Sequence, residues 1–224
     1  MSVGAALRSE GDARTRVLIA AKAPLPGRAK TRLSPPLAPA LAALLAEAFL
    51  TDVLAVARSV DAEAGFLCPA ADAADLRRLF AGVPLVVQEG EGLTGALVTG
   101  VRGGAVVVAG DAPGITAEAI VAAARSPADV VLGPTRDGGF GLIRMRRSCP
   151  EIFARIRWST GSVLDQTVAA CRAAGLTVAL LGAIADVDTV DDLGSVDLSR
   201  ARATRAVLAG TDVGPPTRPA GAGR

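Results

Sequence analysis

Short, uninterrupted apolar runs alternate along the chain with longer stretches in which apolar residues recur at helical spacing. The first run, RVLIAA over Arg16–Ala21, predicts a buried strand, and the segment from Pro36 to Val60 predicts an Ala/Leu-rich helix opened by prolines. The rhythm repeats with a strand over Ala64–Cys68, a helix over Ala71–Phe80 and a strand over Pro84–Gln88. A glycine-bearing loop running into a short helix spans Gly90–Gly100, followed by the very apolar strand Ala105–Ala109 and a helix over Thr116–Arg125. Strands over Asp129–Pro134 and through FGLIRM from Phe140, a helix over Ser162–Ala174 and a strand over Leu176–Leu181 complete the pattern. Strands apolar throughout and separated by helices belong to a mostly parallel sheet covered on both faces. The expected fold is therefore one doubly wound α/β domain over residues 15–209. The polar opening segment, 1–14, and the Pro/Gly-rich tail, 210–224, lack apolar periodicity and are expected to be disordered.

Composition sharpens this picture. A length of 224 residues is ample for a real core. Half the residues are hydrophobic but only 3% are aromatic, so the core must be built from Ala, Val and Leu. Such side chains suit helices packed on a sheet better than an aromatic-rich β-sandwich. The chain has no histidine, which excludes Ser-His-Asp and Cys-His catalysis, histidine metal sites and imidazole bases. Proton transfer must use carboxylates or be unnecessary. Cys68, Cys149 and Cys171 are far apart without CxxC spacing and read as buried thiols in a reducing compartment, which points to the cytoplasm. The N-terminal segment lacks the apolar core of a signal peptide, and no other apolar run reads as long and uninterrupted enough to span a bilayer. A net charge of +2 without a basic, aromatic-studded face gives little basis for nucleic-acid binding. A small-molecule substrate is expected.

In a doubly wound sheet, ligands bind beyond the carboxyl ends of the strands, so the segments there carry the candidate chemistry. KAPLPGRAKTRLS, after the first strand, holds both lysines of a chain with 24 Lys plus Arg. Lys22, Arg28, Lys30 and Arg32, with backbone amides around Gly27 and Thr31, can meet a polyphosphate. The segment is not a Walker loop, because Ala29 stands where its second glycine would be. A solvated basic loop is the alternative, and the clustering of both lysines favours phosphate.

Asp111, in AGDAPG after the most hydrophobic strand, is either a divalent-metal ligand or a turn or cap residue ahead of Thr116. Taken alone, the turn role is the stronger reading. In GPTRDGGF, Asp137, Gly138 and Gly139 form a good hairpin turn, or let a polyol approach the backbone closely. In ADVDTVDDL, Asp188 is placed to complete a metal site with Asp111, while Thr189 and Asp191 read as a helix cap and a first-turn acid. Spacing alone does not separate these roles.

KAPLPGRAKTRL, the strand followed by GDAP, GPTRDGGFGLI, WST with VLDQT downstream, and DVDTVDDL together resemble a bacterial glycosyltransferase-like family. This is the radical-SAM/selenodomain-associated transferase type, within the nucleotide-diphospho-sugar transferase superfamily. The resemblance covers about residues 16–195 and implies a GT-A, Rossmann-like fold. It implies that Lys22, Gly27, Lys30, Thr31 and Arg32 bind the nucleotide diphosphate and that Asp111 and Asp188 hold Mg²⁺ or Mn²⁺. Asp137, Gly138 and Gly139 then lie where sugar or acceptor sits, with Asp111, Lys30 and Asp137 as the catalytic set.

Two departures from the family pattern bear on the acceptor. Gly110 and Ala112 replace small hydroxyl or thiol residues, and Phe140-Gly141 replaces two aromatics. The expected partners are a nucleotide or nucleotide-sugar donor and a small acceptor. Guanylyl transfer to phospholactate or phosphoenolpyruvate, similar in the KTRL loop and the DVDT segment, is the second enzyme reading. A nucleotide-binding protein without turnover is the third. Base, sugar, acceptor and oligomeric state are not written in the sequence.

Overall fold

The computed structural model describes residues 14–210. Seven strands form one sheet: β1 (Thr15–Ala20), β2 (Ala62–Cys68), β3 (Leu85–Val87), β4 (Val106–Ala109), β5 (Val130–Pro134), β6 (Phe140–Met145) and β7 (Val178–Leu180). Every predicted strand is present, with ends moved by at most two residues. The strand order is β3-β2-β1-β4-β6-β5-β7. All neighbours pair in parallel except β6, which runs antiparallel to both β4 and β5. The DGG segment forces that exception, because it closes a β5–β6 hairpin in which Thr135 N–H donates to the Gly139 carbonyl at 3.0 Å. Among the described residues the expected mostly parallel, doubly wound α/β fold is therefore what forms.

Alternation along the strands divides the core in two. Val17, Ile19, Val106 and Val108 face one side, with Leu50, Val53, Leu54 and Ala57 of α1 (Pro39–Ser59) and Ile120 and Ala123 of α4 (Ala117–Arg125). Also on that side are Ala73 and Leu76 of α2 (Ala73–Leu79). Leu18, Val107, Leu132 and Ile143 face the other side, against α3 (Gly92–Gly100) and α5 (Val163–Ala173). Burying each such Val, Leu or Ile contributes about 1.5–3 kcal/mol. With Phe49, Phe66 and Phe153 as the fully buried aromatics among the described residues, the core gains most of its stability from the number of aliphatic side chains it buries.

α1 begins at Pro39, a residue suited to the first helical turn because it has no N–H to leave unpaired. By length and composition this 21-residue helix could cross a membrane, which corrects the expectation that no run was long enough. Its most apolar window is 61% buried, since one face packs on the sheet and another meets Leu33, Val187 and Leu193 in a third cluster. Its apolar character is that of a core helix.

One element lies outside the expected pattern, α7 (Arg202–Ala209). Asp52, 5% exposed on α1, accepts hydrogen bonds from Ala203 N, Thr204 N and Thr204 Oγ1 at 2.9, 2.8 and 2.7 Å. A carboxylate from one helix thus caps the first turn of another. The segments expected to be disordered lie outside the described residues, apart from Arg14 and Gly210. Gly210 N–H closes α7 on the Ala206 carbonyl at 3.2 Å. Cys68 and Cys171 are buried as expected, while Cys149 is only half-buried. Burial, the largest cause in each, pushes the Cys68 and Cys171 thiols up to about 11.

Candidate functional site

β2 and β3 lie to one side of β1 and β4 to the other, so a crevice opens where the chain changes direction. The loop after β1 and the turn after β4 meet there. Lys30 has a left-handed backbone, with φ 47° and ψ 44°, at the head of a short 3-10 turn over Thr31–Leu33. Such a conformation is uncommon for a residue with a side chain. Its ammonium donates to Asp111 Oδ2 at 2.7 Å and to Asp188 Oδ1 at 2.9 Å. Burial pulls the Lys30 pKa down, but the charges and hydrogen bonds of Asp111 and Asp188 outweigh it, and the net shift is upward. Lys30 is charged at neutral pH.

Backbone contacts set the two acids side by side. Asp111 stands two residues past the end of β4, after Gly110, where the close packing admits no side chain: a Cβ there would stand 2.6 Å from both the Ala20 carbonyl oxygen and Leu50 Cδ2. Val187 N–H then donates to the Asp111 carbonyl at 2.9 Å, and Ile184 N–H to the Pro134 carbonyl at 2.7 Å. These bonds fasten the segment after β7 across the crevice. Val187 is fully buried, so Asp186 and Asp188 on either side of it are turned toward the cleft, which both line. Asp192 Oδ2 accepts from Thr189 N, Thr189 Oγ1 and Asp188 N at 2.7, 2.8 and 3.1 Å. Thr189 is the cap of α6 (Val190–Leu193), as expected, but its reciprocal partner is Asp192, and Asp191 is an ordinary first-turn acid.

The cleft has two lobes whose shared wall includes the charged residues Arg32, Asp186 and Asp188 and the apolar Leu93 and Phe140. The first, about 560 Å³, is lined by Lys22, Arg28, Lys30 and Thr31 from the loop after β1, by Asp111, and by Gln88 at the end of β3. Arg28 is also tied to Asp72 at 3.1 Å. Gly27, with φ +73°, does not reach the wall and serves the course of the loop. The second lobe, about 420 Å³, is lined by Asp137, Gly139, Phe140, Trp158 and Ser159.

The DGG turn closes the hairpin, as one of its two readings expected, and it also faces the cleft. Asp137 Oδ1 accepts from Thr135 Oγ1 at 2.6 Å and from Gly139 N at 3.0 Å, so it ties the hairpin while facing the cavity. Gly138 is off the wall but required: its φ is +85°, and a Cβ would lie 2.1 Å from the Gly161 carbonyl oxygen. That contact seats the WST segment against the turn. Trp158 is held by a 2.7 Å bond from Nε1 to Thr94 Oγ1 and by the Phe140 and Phe153 rings, at centroid distances of 6.5 and 6.3 Å. Carboxylate oxygens of Asp137, Asp186 and Asp188 lie within 4.8 Å of one another. Burial, then the Asp111 charge, pushes the Asp186 carboxyl up to about 6.

Asp186, Trp158 and Gln88 were not singled out individually in the sequence. The alternation in Asp-Val-Asp, apolar between two acids, was the available signal for Asp186.

The single α/β domain with its seven-stranded, mostly parallel sheet matches the nucleotide-diphospho-sugar transferase-like fold. The chain belongs to the DUF2064 family, described as an uncharacterized protein conserved in bacteria, whose model matches residues 41–160. No curated protein matches it. Among solved structures it is similar to a provisionally named nucleotide-diphospho-sugar transferase from Desulfovibrio desulfuricans G20. That protein is 28% identical with a TM-score of 0.80, over 88% of this chain and 95% of that one. It is also similar to CMP:2-keto-3-deoxy-manno-octonic acid synthetase complexed with CTP, at 13% identity and a TM-score of 0.53, over 87% and 100% of the two chains. A Methanothermobacter nucleotidyl transferase is 16% identical with a TM-score of 0.53, over 90% and 100%. At such identities these last two speak for the fold alone.

Proposed function

We propose that the protein is a metal-dependent glycosyltransferase of the radical-SAM/selenodomain-associated type, using a nucleoside diphosphate sugar as donor. One observation carries this reading: Asp111 and Asp188, from loops 77 residues apart in sequence, converge on a single positive centre, the Lys30 ammonium, at 2.7 and 2.9 Å. Two hard oxygen donors gathered around one cation suit Mg²⁺ or Mn²⁺. Bound there, either ion would supply charge neutralisation at the donor's α- and β-phosphates.

The chain's own residues do the rest. Lys30, drawn off the two acids by the diphosphate, carries a compact ammonium to its oxygens, and Lys22, Arg28 and Arg32 supply the remaining positive charge around that lobe. Asp137, fixed by Thr135 and Gly139, meets hydroxyls of the substrate on its own side of the cleft. The leaving group is the nucleoside diphosphate, and stabilising its charge is the main demand on the site, so the lack of histidine is no obstacle.

The test is a thermal-shift screen of UDP-, GDP-, ADP-, dTDP- and CDP-sugars with GTP and CTP, each with and without Mg²⁺ or Mn²⁺, on wild type and Asp111→Ala. Metal-dependent stabilisation by a nucleotide sugar, lost in the variant, is the expected result and names the donor. Preference for GTP or CTP would move the protein to nucleotidyl transfer, in which an acceptor phosphate attacks the α-phosphorus. No shift with any nucleotide would end the reading.

A further inference from the structure

The two lobes differ in charge. The first gathers the cations of the loop after β1. On the wall of the second, among the described residues, the only cation is Arg32, and its guanidinium donates to Asp188 at 3.3 Å. Opposite stand Asp137, Asp186 and Asp188, their oxygens within 4.8 Å of one another. A ligand bringing phosphate or carboxylate here would meet three acids and no unengaged cation, an arrangement that rejects anions. Hydroxyl groups, in contrast, donate well to carboxylates.

The remaining wall is apolar and aromatic. Leu97, Val107 and Leu142 line it, and the Trp158 ring is locked by its bond to Thr94 and its edge-on packing with Phe140. A fixed aromatic surface beside a rim of acceptors suits a ring with C–H faces and a hydroxyl edge. At about 420 Å³ the lobe falls within the size of small-molecule sites.

We infer that the Trp158–Asp137 lobe receives a polyhydroxylated acceptor that carries no negative charge. The inference rests on the nucleotide-sugar reading of the adjoining lobe and extends it to the second substrate. In the reaction, an acceptor hydroxyl oxygen bonds the anomeric carbon. The bond from that carbon to the diphosphate oxygen breaks, the nucleoside diphosphate keeps the electron pair, and the hydroxyl proton is released to solvent. Nucleotidyl transfer would instead have to place an acceptor phosphate among the three acids.

Trp158 is the single tryptophan in a chain without tyrosine, so its emission reports this lobe alone. The full-length protein is titrated with methyl glucoside and glycerol and, separately, with glucose 6-phosphate and phosphoenolpyruvate. Methyl glucoside is expected to change the emission saturably, with the phosphorylated ligands weaker by on the order of tenfold or more. In the double variant Asp137→Asn/Asp186→Asn that gap should narrow. Asparagine at 137 keeps an oxygen for Gly139 N–H, and circular dichroism checks the fold. Preference for the anionic ligands, or no response to any ligand, overturns the inference. The nucleotide screen, run in parallel, separates the two readings. Nucleotide-sugar binding with an anion-preferring lobe sinks only this inference, and a polyol-preferring lobe without nucleotide binding sinks only the donor reading.

Discussion

The two lobes of the cleft are assembled in opposite ways. The basic lobe owes its positive charge to one continuous loop, residues 22–32, so its cations are written locally even though Asp111, Asp186 and Asp188 join its wall from elsewhere. The acidic, aromatic lobe takes Asp137 from a hairpin turn, Trp158 and Ser159 from the segment before α5, Leu97 from α3, and Asp186 and Asp188 from the chain after β7. Topology and a few backbone contacts bring these together. A locally encoded site should tolerate a remote backbone change, whereas an assembled one should fail when a single joint is lost.

Gly138→Ala tests that joint and has the largest expected effect. The new Cβ would meet the Gly161 carbonyl oxygen at 2.1 Å with the backbone at φ +85°. The Leu164 N–H bond to the Gly138 carbonyl, 2.8 Å, would shift as well. A loss of about 2–4 kcal/mol in urea unfolding is expected from overpacking and backbone strain together. Below the unfolding transition, Trp158 emission should change while metal-dependent stabilisation by nucleotide persists. Equal damage to both lobes would show that they are one unit.

Lys30→Met sharpens the comparison at the boundary. Removing the ammonium leaves Asp111 and Asp188 facing each other with no cation between them, the exposed Arg32 on Asp188 at 3.3 Å being the remaining counter-charge. The Mn²⁺ affinity of the nucleotide-free protein should therefore rise, read by the loss of the free-ion electron paramagnetic resonance signal. Nucleoside diphosphate affinity without metal should fall by about 2–3 kcal/mol, the scale of charge-assisted hydrogen bonds. Opposite signs are the signature. A fall in both affinities would mean that Lys30 does not stand where the ion goes.

The same contrast governs what the sequence disclosed. Strands β1 to β7 and the basic loop were legible because apolar runs and clustered charge are local signals, and Lys30 was named before its partners were known. Asp111 and Asp188 were offered as a metal pair from their places after the strands, with turn and cap roles left open, and the family resemblance favoured the pair; their meeting through Lys30 depends on the Val187–Asp111 backbone bond, which no spacing rule reveals. Asp186 hid among four aspartates and Trp158 inside a short motif, because only the fold shows what lies opposite them. Asp52 sat in an apolar helix whose partner is 152 residues away at Thr204. α7 escaped because the helix is short and held by that distant cap.

The smallest effect probes the charge of the acidic lobe itself. The Asp186 carboxyl is pushed from 3.8 up to about 6 by burial first and by Asp111 next, with Asp137 and Asp188 adding to the shift. Between those pH values the folded protein holds a proton that the unfolded chain has released, so stability falls as pH rises through the window. The cost is complete above about pH 6. Asp186→Asn removes it, so in the presence of a chelator the variant should melt higher than wild type at about pH 8 and no higher at about pH 4. The side chain is half-buried, and solvent screening limits the expected gain to on the order of 1–3 °C. A variant less stable than wild type at pH 8 would mean that the ionised carboxylate is held by a favourable partner. The repulsion among acids that sets this lobe apart from its basic neighbour would then not exist.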